Sequence, residues 1–268
     1  MFRPRPQSMP SNPISYLFQR EYVDSPYICK RILRERLRSA RNLYCKNIFA
    51  HYGCVNAIEF SNSGTHLASG GDDRRVLIWN VEEALNGIGQ PHAMRAHHIS
   101  NIFCLGYDSN NTKIFSAGND DQVIVHDTHS GDPIDYFLHE QPVFCLSVDP
   151  SNDYVFATAC DDGRILIFDM RQPSNDPDAF VLANTNSAFH GVMYNPIEPR
   201  LIATANSKDG AGLWDIRKPC QVLLKYGEAE SCMSIRWDKR GHHLLALRRR
   251  LPPVLYAVDS EYHLAQFD

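Results

Sequence analysis

Short apolar runs alternate with acidic and glycine-containing turns along most of the chain, and one such pattern recurs four times. The segments are SGGDDRRVLIWN ending at Asn80, SAGNDDQVIVHD ending at Asp127, TACDDGRILIFD ending at Asp169 and TANSKDGAGLWD ending at Asp215. Each carries a small-residue pair, a polar turn, an apolar run, an aromatic ring and then Asp or Asn. Runs such as Val76-Leu77-Ile78-Trp79 are β-branched and aromatic and are bounded by turn residues, which predicts short antiparallel strands. Their near-continuous apolarity predicts burial on both faces, and helix-period patterning is absent from residue 47 onward.

The ring positions Trp79, His126, Phe168 and Trp214 recur within a few residues of the ~40–45 spacing of one propeller blade. A second shared element precedes three of them, an Ala-His or Leu-His step (His51, His97, His139) followed by VNAIEF, IFCLGY and VFCLSV. A fifth unit runs from Ser231 to roughly Asp259. There Arg248-Arg249-Arg250-Leu251-Pro252-Pro253 replaces the acidic turn, and counting back from Tyr256 puts Arg250 in the slot of Asp73. The expected fold class is an all-β propeller of about five blades over residues 47–268, read as part of an incomplete seven-bladed ring. Such a ring would expose an unpaired blade edge.

These residues resemble the WD-repeat family. The resemblance implies that a Ser or Thr, the turn Asp, the His and the Trp form a buried hydrogen-bonded chain within each blade. In the first blade the matching residues are His51, Ser69, Asp73 and Trp79; His97, Asp120, His139 and Asp162 extend the network to the next two. A carboxylate buried between blades must be paired, and an imidazole N–H with a hydroxyl can do so. The second blade replaces Trp by His126, the third by Phe168, and the fourth lacks the upstream His. Recurrence in every blade argues for structure and against a hydrolase triad. Nucleophile-elbow, phosphate-loop and metal-helix motifs are absent, so neither an enzyme nor a cofactor is expected.

Residues 1–26 are proline-rich with scattered Ser and Asn and read as poorly ordered. Over 27–46, Ile28, Ile32, Leu33, Leu37, Ala40 and Tyr44 recur at helical spacing among Lys30, Arg31, Arg34, Arg38 and Arg41, which predicts a basic amphipathic arm. Packing on the propeller and docking to a partner are both open for it.

Two blades continue to an arginine: Phe168-Asp169-Met170-Arg171 and Trp214-Asp215-Ile216-Arg217. This resembles the WDxR box of the cullin-four-associated factors, substrate receptors of cullin-four RING ubiquitin ligases. Longer stretches (GCVNAIEFSNSG, RLIATANSKDGAGLWDIRKP, LLALRRRLPPVLY) are similar as well, over roughly residues 27–268, and imply a longer parent protein. The resemblance implies that Asp169, Arg171, Trp214, Asp215 and Arg217 meet the ligase's propeller adaptor, with the helical arm inserting into it. The opposite rim, with Arg74, Arg75, Lys208, Arg248, Arg249 and Arg250, would present protein substrates. The alternatives are a WD-repeat scaffold in chromatin or trafficking assemblies, and a nucleic-acid-binding propeller.

The 268 residues carry a formal net charge of −4, which weighs against a nucleic-acid coat. No apolar run reaches the roughly 20 residues of a membrane helix, and the N-terminus lacks a secretory apolar core. The eight cysteines (Cys29, Cys45, Cys54, Cys104, Cys145, Cys160, Cys220, Cys232) form no CxxC pair and read as reduced thiols. An intracellular location, nuclear or cytoplasmic, is the expectation.

Overall fold

The computed structural model describes residues 47–172, 179–228 and 230–267. The expected ill-ordered N-terminus (1–26) and helical arm (27–46) lie outside the described residues.

Five four-stranded antiparallel sheets follow one another, each a simple meander. The first blade is β1 (Val55–Phe60), β2 (His66–Gly71), β3 (Val76–Asn80) and β4 (His92–Ala93). The second is β5 (Ile102–Tyr107), β6 (Lys113–Gly118), β7 (Gln122–Asp127) and β8 (Pro133–Leu138). The third is β9 (Val143–Val148), β10 (Val155–Cys160), β11 (Arg164–Asp169) and β12 (Phe180–Asn184). The fourth is β13 (Phe189–Tyr194), β14 (Leu201–Asn206), β15 (Gly210–Asp215) and β16 (Val222–Tyr226). The fifth is β17 (Cys232–Trp237), β18 (His243–Arg248), β19 (Val254–Ala257) and β20 (His263–Gln266).

The sequence pattern predicts no strand after Asp259, yet β20 completes the fifth blade. Its four residues, His263-Leu264-Ala265-Gln266, are too short a run to mark a strand, and edge pairing with β19 decides their conformation. A second difference is a short helix, Val81–Asn86, where no helical pattern was expected. Asn80 caps it by accepting from the Glu83 N–H, and Gly87 at φ 74° ends it in the left-handed region.

The core lies between blades, not inside them. Four apolar clusters each straddle two successive blades, which is why third strands such as β11 and β15 give side chains to a cluster on either face. The second and third blades share the most aromatic of these. Phe115, Phe137, Phe156 and Phe168 have ring centroids 5.0–5.5 Å apart, so Phe168 substitutes for Trp by joining this cluster. Inner strands pack in the order β1, β5, β9, β13, β17, and the fifth blade makes no comparable packing on the first. Side-chain latches add to the order: Asn62 bonds Asp108 O and Asn111 Oδ1 of the next blade, and Asn195 bonds Gly241 O.

Of the cysteines described, Cys104, Cys160 and Cys232 are buried as expected of small hydrophobes, whereas Cys54 and Cys220 are exposed. Burial pushes the Cys160 thiol up to about 12, so it stays protonated.

Candidate functional site

The first blade assembles the expected chain of hydrogen bonds. Trp79 Nε1–H donates to Ser69 Oγ at 2.9 Å, so the Ser69 proton is free for His51 Nε2 at 2.8 Å. That direction leaves His51 Nδ1–H to donate to Asp73 at 2.9 Å. Burial alone would raise the Asp73 carboxyl. The His51 and Arg75 side chains and the Tyr52 N–H overcome it and hold Asp73 down to about 2.

The second blade corrects the histidine. His98, not His97, donates through Nδ1 to Asp120 at 2.9 Å and meets Ser116 Oγ through Nε2 at 2.8 Å. His97 is exposed. A two-histidine sequence leaves the choice open, and only the register with Ile102 at the start of β5 decides it. His126, in the tryptophan position, takes over the indole's part: its Nε2 lies 2.9 Å from Ser116 Oγ. Its buried Nδ1 has no partner, and desolvation with the nearby His98 and His97 lowers it to about 3. The ring is therefore neutral at physiological pH.

In the third blade the chain is rewired. His139 Nε2 lies 3.0 Å from Thr158 Oγ1, but its Nδ1–H turns to Phe137 O at 3.2 Å. Asp162 pairs instead with Arg164, Nε to Oδ2 at 2.6 Å, so the expected His139–Asp162 link does not form. Burial lowers His139 to about 4. The fourth blade keeps only the Trp214 Nε1–H to Thr204 Oγ1 bond at 2.8 Å.

At the far end of the third strands, two arginines fold back on aspartates. Arg171 grips Asp169 through Nε (2.8 Å) and Nη2 (2.5 Å). Arg217 grips Asp215 in the same two-pronged way, at 2.9 and 2.5 Å. These Asp-x-Arg turns occupy equivalent positions in adjacent blades, after β11 and β15, so they open on one face. The Asp215 side chain is 6% exposed and that of Arg217 is 60% exposed. Each guanidinium thus anchors on a carboxylate and presents its remaining Nη1 edge outward. Its arginine's hydrogen bonds are the main cause holding Asp215 well below the usual carboxylate range, and Asp169 is lowered likewise. Trp214 itself is buried between blades three and four, at 8% exposure, so it positions this turn.

The opposite rim is less uniformly basic than its sequence. Arg75 is taken up by Asp73 (Nε–Oδ2 3.0 Å) and Ala50 O, and its guanidinium lies 4.7 Å from the centroid of the exposed Tyr52 ring. Arg248 is neutralised by Glu230 at 2.6 Å and bonds Pro252 O. Arg74, Lys208, Arg249 and Arg250 remain exposed.

A model of the WD domain, G-beta repeat, matches residues 43–80, which take in β1–β3, and residues 132–169, which take in the last strand of the second blade and the first three of the third. This chain belongs to the WD-repeat family. Among curated WD-repeat relatives, it is 54% identical over 260 residues to DDB1- and CUL4-associated factor 5 of Homo sapiens and of Mus musculus. That match takes in 95% of the chain but 27% of the relatives, so the chain spans about a quarter of their length. WD and tetratricopeptide repeats protein 1 of Mus musculus is 26% identical over 75% of the chain and 28% of its own length. In fold, the β-propeller domain of Myceliophteria thermophila Cps50 (Swd1) superposes with a TM-score of 0.70 at 19% identity, over 82% of this chain and 73% of that one.

One feature of these WD repeats is not expected from the sequence pattern as read above. Every inner strand carries a register shift near its start. These bulges re-aim the residues at Phe103, Phe144 and His190, whose rings stand 5.8 and 4.9 Å apart in a row across three blades. Aligning the second positions of IFCLGY, VFCLSV and FHGVMY would have revealed it. Among the described residues no group of His, Cys, Asp and Glu could hold a metal ion, and no helix is long and apolar enough to cross a membrane.

Proposed function

We propose that this chain is the propeller of a non-catalytic substrate receptor of a cullin-four RING ubiquitin ligase, docking on the ligase's propeller adaptor and presenting target proteins. The observation that carries this reading is the 54% identity to DDB1- and CUL4-associated factor 5 across nearly the whole chain. The two Asp–Arg forks support it, because pre-ordered guanidinium edges on one face suit docking to carbonyl or carboxylate groups. On this reading Asp169, Arg171, Asp215 and Arg217 form the adaptor face, and residues 27–46 are a second contact with the adaptor. The exposed Arg74, Arg249 and Arg250 on the other rim meet substrate. With Arg75 and Arg248 already paired, that rim is a poor track for nucleic acid. Catalysis is proximity within the assembled ligase, inside the cell, with the ubiquitin-conjugating enzyme performing the chemistry and no cofactor held by this chain.

The test is association of the purified chain with the adaptor. Arg171→Ala with Arg217→Ala is expected to weaken it about tenfold or more, and Arg217→Lys, which keeps charge but loses the fork, to weaken it less. Wild-type association of the double variant would remove the arginines from the interface. Absence of adaptor and cullin from the partners of the unaltered chain would remove the ligase reading itself.

A further inference from the structure

The fourth blade keeps half of a hydrogen-bonded chain and leaves the other half empty. By register, each inner strand begins four residues after the imidazole position: His51 before Val55, His98 before Ile102 and His139 before Val143, which places Thr185 before Phe189. The aspartate position holds Lys208. Thr185 does not reach toward Thr204; its hydroxyl bonds Ser187 O at 2.9 Å and receives the Asn206 amide at 3.2 Å. Position 212 differs as well. Leu77, Ile124 and Leu166 fill the corresponding site in the first three blades, whereas the fourth has Gly212.

The result is a cavity of about 210 Å³ whose lining includes Thr204, Asp209, Gly212, Trp214, Val222 and Lys225. Thr204 is 1% exposed. Its oxygen accepts from Trp214 Nε1, and its own proton has no acceptor among the described residues. Loss of the histidine does not by itself open such a space. In the fifth blade Glu228 stands in the imidazole position and Ala246 in the hydroxyl position, and about 10 Å³ remains beside Tyr256. The fourth blade alone of these two retains the hydroxyl–indole pair that holds an imidazole in the first.

We infer that this cavity is a binding site for an imidazole ring, presented as the histidine side chain of a bound polypeptide. Thr204 donates its proton to the unprotonated ring nitrogen, as Ser69 does to His51, and the Asp209 carboxylate at the lining accepts from the other N–H. The volume is below the roughly 300 Å³ where pockets for drug-sized ligands begin, and suits one side chain. The inference does not depend on the ligase reading.

The experiment follows the Trp214 indole N–H resonance of the full chain, identified by its loss in Trp214→Phe, during titration with imidazole, N-acetylhistidine methylamide and toluene. Saturable shifts are expected with the first two and none with toluene. Gly212→Leu, whose Cβ would stand 3.2 Å from Trp214 Nε1 and 3.4 Å from Thr204 Oγ1, should weaken binding about tenfold or more. Thr185→His, which supplies the ring in cis, should abolish it and raise the melting temperature, so the proposal stays testable if the leucine variant does not fold. A flat titration, an equal response to toluene, or binding that survives Thr185→His overturns it. Binding of imidazole without the histidine amide overturns the side-chain source.

Discussion

Ser116 stands between two imidazoles, and the direction of its bonds follows from counting protons. His98 donates Nδ1–H to Asp120, so its Nε2 must accept from Ser116; His126 must then donate through Nε2 and keep a bare Nδ1. Both His126 and His139 have folded values below the ordinary 6.5, at about 3 and about 4. A histidine lowered on folding stays neutral while the unfolded chain takes up a proton. Its contribution is therefore complete above about 6.5 and is lost as pH falls toward the folded value, at up to about 1.4 kcal/mol per pH unit for each ring. Replacing His126 with Phe, the ring of the third blade, should change stability near pH 7.5 by about 1 kcal/mol or less. It should roughly halve the loss between pH 6.5 and 4 in urea denaturation. An unchanged acid slope would show that His126 is not the titrating group.

At the scale of the element, the turn between second and third strands sets the strain. Arg74 at φ 66° and Asp121 at φ 57° hold the left-handed position that Gly163 fills at φ 84° in the third blade. A non-glycine residue there costs on the order of 1 kcal/mol. Arg74 is exposed, so Arg74→Gly should raise stability by roughly that amount while removing a charge from the proposed substrate rim. Thermal melting and substrate binding would then move in opposite directions, and a lower melting temperature would refute the strain argument. This turn was half legible beforehand: its polar residues marked it, but the identity of the left-handed position depends on a register that only strand pairing supplies. The choice between His97 and His98 failed for the same reason.

Across the whole molecule, no described residue packs on the outer flank of the first blade. Ile58 is 62% exposed and Phe60 54%, while the residues at the position of Ile58 in later blades, such as Leu146 at 5%, are buried by the preceding blade. The contrast predicts unequal costs. Leu146→Ala should destabilise by about 2–5 kcal/mol, and Ile58→Ala by a small fraction of that. An apolar face of this kind also favours self-association. Sedimentation velocity should show concentration-dependent oligomers that Ile58→Glu with Phe60→Glu suppresses. A strictly monomeric parent chain would indicate that the face is covered in solution.

Repetition made the fold readable without coordinates. A pattern copied blade after blade averages out local degeneracy, so five units, their third strands and the Asp-x-Arg turns stood out from Trp79 to Tyr256. Local chemistry likewise marked Asp73 as a buried carboxylate in need of partners. Tertiary structure alone decided which partners each group took: Arg164 for Asp162, Phe137 O for His139, Asp215 for Arg217, and an unfilled space beside Thr204. Three of these partners lie only two residues away along the chain, so spacing brings them within reach. What spacing does not encode is which near neighbour a side chain turns to and whether a group from another strand or blade occupies the volume.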